Sequence, residues 1–262
     1  MTRASDSAAI HAAAGIALVV IAVFIFVAPI PQDPAYHAFA DGRSFLGIAN
    51  FGNVASNLPF LVIGAWGVGY VMRHGAAVCL PGLELAYVVF FSGVMLTALG
   101  SGYYHLVPAN EPLAWDRLPM TIGFSGLFAI IVGEFVAARA GRLLVIPLLI
   151  IGVVSVEYWI WSESRGAGDL RPFALFQFLP MLLIPVILVL YKPAIGHARY
   201  FWAMLGLYAL SKIAEALDAR IFAAGGVVSG HTLKHLFAAA ATGALLYALM
   251  QRRLPTQAAN DD

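Results

Sequence analysis

Five side chains carry most of the chemistry this sequence can offer. His231-Thr232-Leu233-Lys234-His235 places two histidines four residues apart. On a helix that spacing puts both imidazoles on one face, where two of them can hold one metal ion. Ser101 and His105, in Gly100-Ser101-Gly102-Tyr103-Tyr104-His105, repeat the four-residue step. Asp116 follows in Trp115-Asp116-Arg117-Leu118-Pro119. His105, His231 and His235 with an open fourth position describe a catalytic zinc site. Zn²⁺ in such a site brings the pKa of its water down to about 7. Asp116 can accept that water's proton or orient a ligating imidazole. Ser101 can donate a hydrogen bond to a developing oxyanion.

Each stretch also has a plain structural reading. The histidines can be interfacial residues reaching for water, and Ser101 can bond to its own helix. Asp116 is a good N-cap, Pro119 suits a first helical turn, Arg117 an interfacial anchor and Trp115 an aromatic belt. The chain has only seven histidines. Three of them falling at one membrane depth on two helices favours the metal site.

That depth comes from the elements that must position these residues. The chain has 262 residues, 61% hydrophobic and 11% charged, against about a quarter charged in a soluble domain. This composition excludes a soluble globular protein and leaves a polytopic membrane protein. A net charge of +1 from 15 basic and 14 acidic residues excludes a nucleic-acid binder working through a basic surface. The single cysteine, Cys79, excludes a disulfide framework and a cysteine-built zinc site. Eight apolar segments have the length of spanning helices, at 9–30, 46–72, 82–104, 118–138, 143–161, 173–191, 199–222 and 231–250. The expected fold is therefore all-α, a seven-helix core preceded by one N-terminal leader helix. The leader lacks a small-x-small cleavage site, so a retained helix is expected over a signal peptide. Arg3, Arg73, Arg139, Arg142, Lys192, Arg199, Arg252 and Arg253 share one side of this path, which predicts cytoplasmic termini. On it the ends of the second and the starts of the third and seventh core helices meet at the outer face.

The remaining polar residues have quieter expectations. Tyr36 to Arg43 is either a surface loop, with Asp41 and Arg43 as a weak exposed pair, or a lid over the site. Asn50, Asn53, Ser56 and Asn57 on the first core helix read as interhelical hydrogen bonding. Glu157 is expected to be exposed at an interface, with Arg171 a possible partner by depth. Lys212 and Glu215 can pair along one helix face. Asp218 lies close enough in depth to support the histidines. Lys234 is expected to face away from the two histidines, where it can pair with Asp218 by depth.

Taken together, Leu99 to His105, Asp116-Arg117-Leu118-Pro119-Met120 and His231-x-x-x-His235 resemble the alkaline ceramidase family. Asn53-Val54-Ala55-Ser56-Asn57 resembles that family's Asn-x-x-Ser-Asn on the first core helix. The family belongs to a wider group of seven-helix membrane hydrolases and receptors that includes adiponectin-receptor-like proteins. The resemblance covers roughly 36–250. It implies an integral-membrane, zinc-dependent amidase, with His105, His231 and His235 as ligands and Ser101 and Asp116 assisting. The implied substrate is a ceramide-like N-acyl lipid entering from the bilayer, split into a long-chain base and a fatty acid. The family's acidic calcium site is not matched, since Asn50 stands where an acidic ligand belongs and only Asp41 remains. No calcium and no protein partner are therefore expected. Alanine and glycine richness suggests a bacterial inner-membrane protein, so another amide-linked lipid can replace ceramide. The expected organisation is a leader at 1–35, a hydrolase domain at 36–250 and a short cytoplasmic tail at 251–262. A seven-helix lipid receptor with a zinc site is the competing reading. A rhomboid-like protease fits poorly, because Leu99 stands where its Gly-x-Ser-Gly motif wants glycine. A transporter fits poorly as well, because no inverted repeat is evident.

Overall fold

Long helices joined by short loops account for nearly the whole chain in the computed structural model, which describes residues 3–252, with side chains from residue 15 onward. The helices are α1 (Arg3–Phe26), α2 (Phe51–Ala55), α3 (Leu58–Val78), α4 (Glu84–Leu106), α5 (Asn110–Phe135), α6 (Ala138–Ser164), α7 (Arg171–Leu190), α8 (Ala198–Ala216), α9 (Asp218–Gly225) and α10 (Gly230–Met250). A 3₁₀ turn at Pro34–His37 lies between α1 and α2, and the described residues contain no strand. Six units are long and apolar enough to cross a membrane: Phe51–Val78, α4, α5, α6, α7 and α10. This is the pattern of a multi-pass integral membrane protein. Helix α8 is not among the six; it carries Arg199, Lys212 and Glu215. The expected span at 199–222 is instead two helices, broken at Leu217. Arg253 and the rest of the expected tail up to 262 lie outside the described residues.

Small residues set the helix spacing. Helices α4 and α5 pack along much of their length, as do α3 with α4, α5 with α6, and α8 with α10. Lipid supplies no hydrophobic drive between helices, so close backbone approach and dispersion must hold them together. A Cβ on Gly93 would run into the Gly123 backbone, and one on Gly126 into the Phe90 backbone. The same device acts at the functional end of the bundle. Pro119 lacks an N–H, which releases the Trp115 carbonyl from its helical bond. That oxygen lies where a Gly100 side chain would stand, so the end of α4 can approach α5 only with glycine there. Gly230 likewise seats the start of α10 against the Ala214 carbonyl of α8.

The leader helix rests on α7. Leu170 N–H donates to the Ile30 carbonyl at 2.8 Å, and Arg171 Nη1 donates to the Val27 carbonyl at 2.5 Å. Arg171 pairs with Asp169 at 2.7 Å, whereas Glu157 is exposed. The depth argument that offered Glu157 to Arg171 therefore fails. Asp169 is two residues away and meets the guanidinium with both carboxylate oxygens.

Far from the histidines, the other end of the bundle is closed by a buried ion pair. Arg252 Nη1 meets Glu134 Oε1 at 2.7 Å, with both side chains fully buried. Tyr87 donates to the same carboxylate at 2.8 Å. This ties the chain just past α10 to α4 and α5.

Candidate metal centre

Three imidazoles converge between α4 and α10. Ser229 caps α10, accepting from the Thr232 N–H at 3.1 Å, and so starts the helix just ahead of His231 and about one turn before His235. His231 and His235 then leave α10 on one face, and His105 joins them from the last turn of α4. Their ring centroids form a near-equilateral triangle with sides of 4.9, 4.9 and 5.0 Å. One nitrogen from each ring lies within 4.8 Å of the others, and all three residues are buried. The donor set suits Zn²⁺, whose bonds to histidine nitrogen run about 2.0–2.1 Å in a tetrahedral array. His105 Nδ1 is buried and has no hydrogen-bond partner, as expected of a polar atom left for a ligand.

Several residues hold the imidazoles in place. Ser56 Oγ lies 2.8 Å from His235 Nδ1 and donates to the Asn53 carbonyl at 3.1 Å. With its proton used there, the hydroxyl accepts the Nδ1–H, which leaves the lone pair of His235 on Nε2. Asn50 sits in a left-handed conformation (φ 48°) that asparagine tolerates. From it, Nδ2 donates to the His105 carbonyl at 2.8 Å. Asn53 Oδ1 accepts from Thr232 Oγ1 at 3.1 Å, tying α2 to α10. Interhelical bonding was the expected role of these asparagines and of Ser56. What the sequence did not reveal is that Ser56 spends its bond on a candidate ligand. A run of four polar residues at the start of an apolar helix was the available signal.

Asp218 supports the site through the backbone. Its Oδ1 accepts from the His231 N–H at 2.7 Å and its Oδ2 from the Ala40 N–H at 3.0 Å. The expected Lys234–Asp218 pair is therefore absent, because those carboxylate oxygens are committed to backbone donors. Lys234 meets Glu215 Oε1 at 2.7 Å instead, and Glu215 also pairs with Lys212. Lys234 does not face away from the histidines either, since its Nζ is 3.4 Å from His231 Nε2. One helical turn separates the two residues, and the partner on α8 draws the ammonium back across that face.

The segment from Tyr36 to Arg43 covers the histidines. The Phe39 ring stands 4.6 Å from His105 and 4.5 Å from His231. His37 Nδ1 is 2.9 Å from the Tyr104 hydroxyl. Of the expected exposed pair Asp41 and Arg43, only Arg43 is exposed. Asp41 is buried, and Arg43 Nε and Nη2 each donate to its carboxylate at 2.8 Å. Arg43 also donates to the Gly226 and Val227 carbonyls at 2.9 and 2.7 Å. The guanidinium holds the Asp41 carboxyl below the usual carboxylate range. This bolts the segment to the α9–α10 loop.

Ser101 and Asp116 face each other across α4 and α5. Both are buried. Asp116 is not an N-cap, because α5 begins at Asn110 and places Asp116 and Pro119 well inside the helix. Arg117 is no interfacial anchor, being only 6% exposed, whereas Trp115 does point outward. Ser101, Asp116 and His235 line a partly open cavity of about 310 Å³, which His105 and His231 do not touch. Its remaining wall is mostly apolar, including Phe60, Phe90, Phe124, Leu127, Met181 and Met204. A volume of this order lies at the lower end of ligand pockets. Comparison of the chain with known proteins returns no matching family model and no matching curated protein.

Proposed function

We propose that this chain is a zinc-dependent membrane hydrolase of alkaline-ceramidase type that cleaves the amide of an N-acyl lipid. In this reading α8 and α9 together act as the sixth of the seven spanning units of the core, α1 is an added leader, and the site lies near the outer face of a bacterial inner membrane. The observation that carries it is the buried triangle of His105, His231 and His235, with His235 lining a mostly apolar cavity together with a facing Ser101–Asp116 pair.

His105, His231 and His235 would hold the metal, with Ser56 and Asp218 keeping the last two in register. Zn²⁺ there would supply Lewis acidity to the amide carbonyl and acidify a water at neutral pH. The apolar wall would take the acyl chain. Asp116 would take the proton of the attacking water. As it does so, the Ser101 hydroxyl it faces is freed to donate to the oxyanion that forms on the amide carbonyl. Asp116 would then return the proton to the leaving amine as the C–N bond breaks, giving a free amine and a fatty acid.

Metal content per chain, measured by mass spectrometry on detergent-purified protein, tests the first half. About one zinc per wild-type chain, lost in His231→Ala/His235→Ala, is the expected result. Turnover of a panel of N-acyl lipids tests the second half. Asp116→Asn should keep its zinc and lose about 100-fold or more in kcat. Zinc without turnover of any amide lipid would favour the receptor reading. No zinc in either protein would sink the hydrolase.

A further inference from the structure

One buried charge near the site has no role in the hydrolysis described above. Arg117 follows Asp116 on α5, is only 6% exposed and lines the same cavity. No carboxylate pairs with it among the described residues. Its Nη2 donates to Gln32 Oε1 at 2.6 Å, while Nη1 is buried with no hydrogen-bond partner. Around the guanidinium stand the Trp159, Phe173 and Tyr36 rings, with centroids at 4.1, 4.8 and 5.8 Å. Aromatic faces offset part of the cost of burying the cation but satisfy no N–H. Glu163, a nearby acid, is occupied by the Gln32 N–H at 2.7 Å and Trp159 Nε1 at 3.1 Å. Asp116 and Glu163 are close enough to offset part of the charge, but neither meets the guanidinium, and a buried donor left without a bond is costly.

The lining charges point the same way. Arg117, Lys212 and Lys234 face the cavity against Glu215 and Asp116. Three positive and two negative groups leave one positive charge over. Lys212 and Lys234 share Glu215. Among the described residues Arg117 is the one of these three cations that no carboxylate meets in a salt bridge, and its Nη1 is a buried donor without a partner, of the kind that binds carboxylate, phosphate or sulfonate.

We propose that Arg117 in its aromatic cage is an anion subsite that anchors the headgroup of the cavity's lipid, so that the preferred substrate is an anionic N-acyl lipid rather than a neutral one. This rests on the hydrolase reading for the word substrate, but the subsite itself does not require turnover. A carboxylate could also come from a released fatty acid, and the experiment separates the two sources.

Binding comes first, on the purified full chain in a non-ionic detergent. Hexadecyl phosphate, hexadecanol and palmitate are titrated into wild type, Arg117→Gln and Arg117→Lys. Hexadecyl phosphate should bind wild type about 10-fold or more tightly than hexadecanol, from one charge-assisted contact. Arg117→Gln should bring that preference to within about 2-fold, and Arg117→Lys should retain only part of it, because an ammonium lacks the planar fork. Equal binding of the phosphate and the alcohol by wild type would overturn the subsite without any variant having to fold. So would an unchanged preference in Arg117→Gln. Turnover follows, with N-acyl lipids of one chain length bearing carboxylate, phosphate or uncharged headgroups. An anionic headgroup should lower KM in wild type and not in Arg117→Gln, an effect that a purely structural arginine would not produce. Arg117-dependent palmitate binding with headgroup-independent KM would overturn the headgroup assignment in favour of product. Anion preference with no hydrolysis of any lipid would refute the hydrolase and keep the subsite. Hydrolysis with no anion preference would do the reverse.

Discussion

Ser56→Ala removes one hydroxyl and nothing else from the candidate metal centre, which makes it the sharpest probe of how the histidines are held. The Ser56 proton goes to the Asn53 carbonyl at 3.1 Å, so the oxygen can only accept from His235 Nδ1 at 2.8 Å. This fixes the ring's tautomer and its rotation, with Nε2 unprotonated for a ligand. Losing such a partner costs about 10–100-fold in metal affinity. The Asn53 carbonyl also faces this imidazole and remains in the variant. The expected loss is therefore near the lower end, about 10-fold, or roughly 1.4 kcal/mol. The assay is a competition titration with a chelator of graded strength on zinc-loaded protein in detergent, reading zinc retained per chain. Thermal unfolding of the zinc-free protein serves as the control and should change little. A Ser56→Ala affinity within about 2-fold of wild type, alongside full loss in His231→Ala/His235→Ala, would refute the tautomer argument.

Other perturbations probe the cover, the clamp and the far end of the bundle. Phe39→Ala removes the ring that packs against His105 and His231, so zinc should exchange into chelator several-fold faster, and an unchanged rate would mean that Phe39 is no cover. Arg43→Gln tests the clamp through pH. Because the folded Asp41 carboxyl is held below its ordinary value of 3.8, its pairing stabilises the fold above that value and fades as pH falls through the lower folded value. The Tm gap between wild type and Arg43→Gln, read on zinc-free protein, should thus be full at pH 6 and shrink below about pH 4; a gap that grows on acidification would contradict the pairing. Glu134→Leu removes the carboxylate that meets the fully buried Arg252 and should cost about 3–5 kcal/mol in unfolding, while Glu134→Leu/Arg252→Met should recover much of it. A double variant no better than the single one would show that the apolar pair does not fit.

How much of this was legible along the chain depended on the range of the interaction. Helicity and the six membrane-length units follow from runs of apolar residues, and those runs need no partner to be recognised. The convergence of His105 with His231 and His235 was legible too, because counting helices assigns each a depth. Depth says nothing of rotation about the helix axis, and there the expectations missed. Lys234 and Asp218 share a depth, yet Glu215 on α8 took the lysine and two backbone N–H groups took the aspartate. Asp116 had the residue type and the following proline of an N-cap, but α5 starts at Asn110. Packing of α5 on α4 through Gly100 gave the carboxylate a buried place beside Ser101 instead.

The sequence by itself determined that the chain is helical, that most of it belongs in a bilayer, and that three imidazoles share one end of the bundle. These are periodic or additive properties, carried by spacing and composition. Only the tertiary structure decided what covers the histidines, which serine holds His235, and that Arg117 is enclosed by rings from α6, α7 and the segment after α1. Each of those contacts joins residues far apart in the chain. Which one forms depends on how closely glycine-lined helices approach and how they are rotated, and neither is written in the spacing of any single segment.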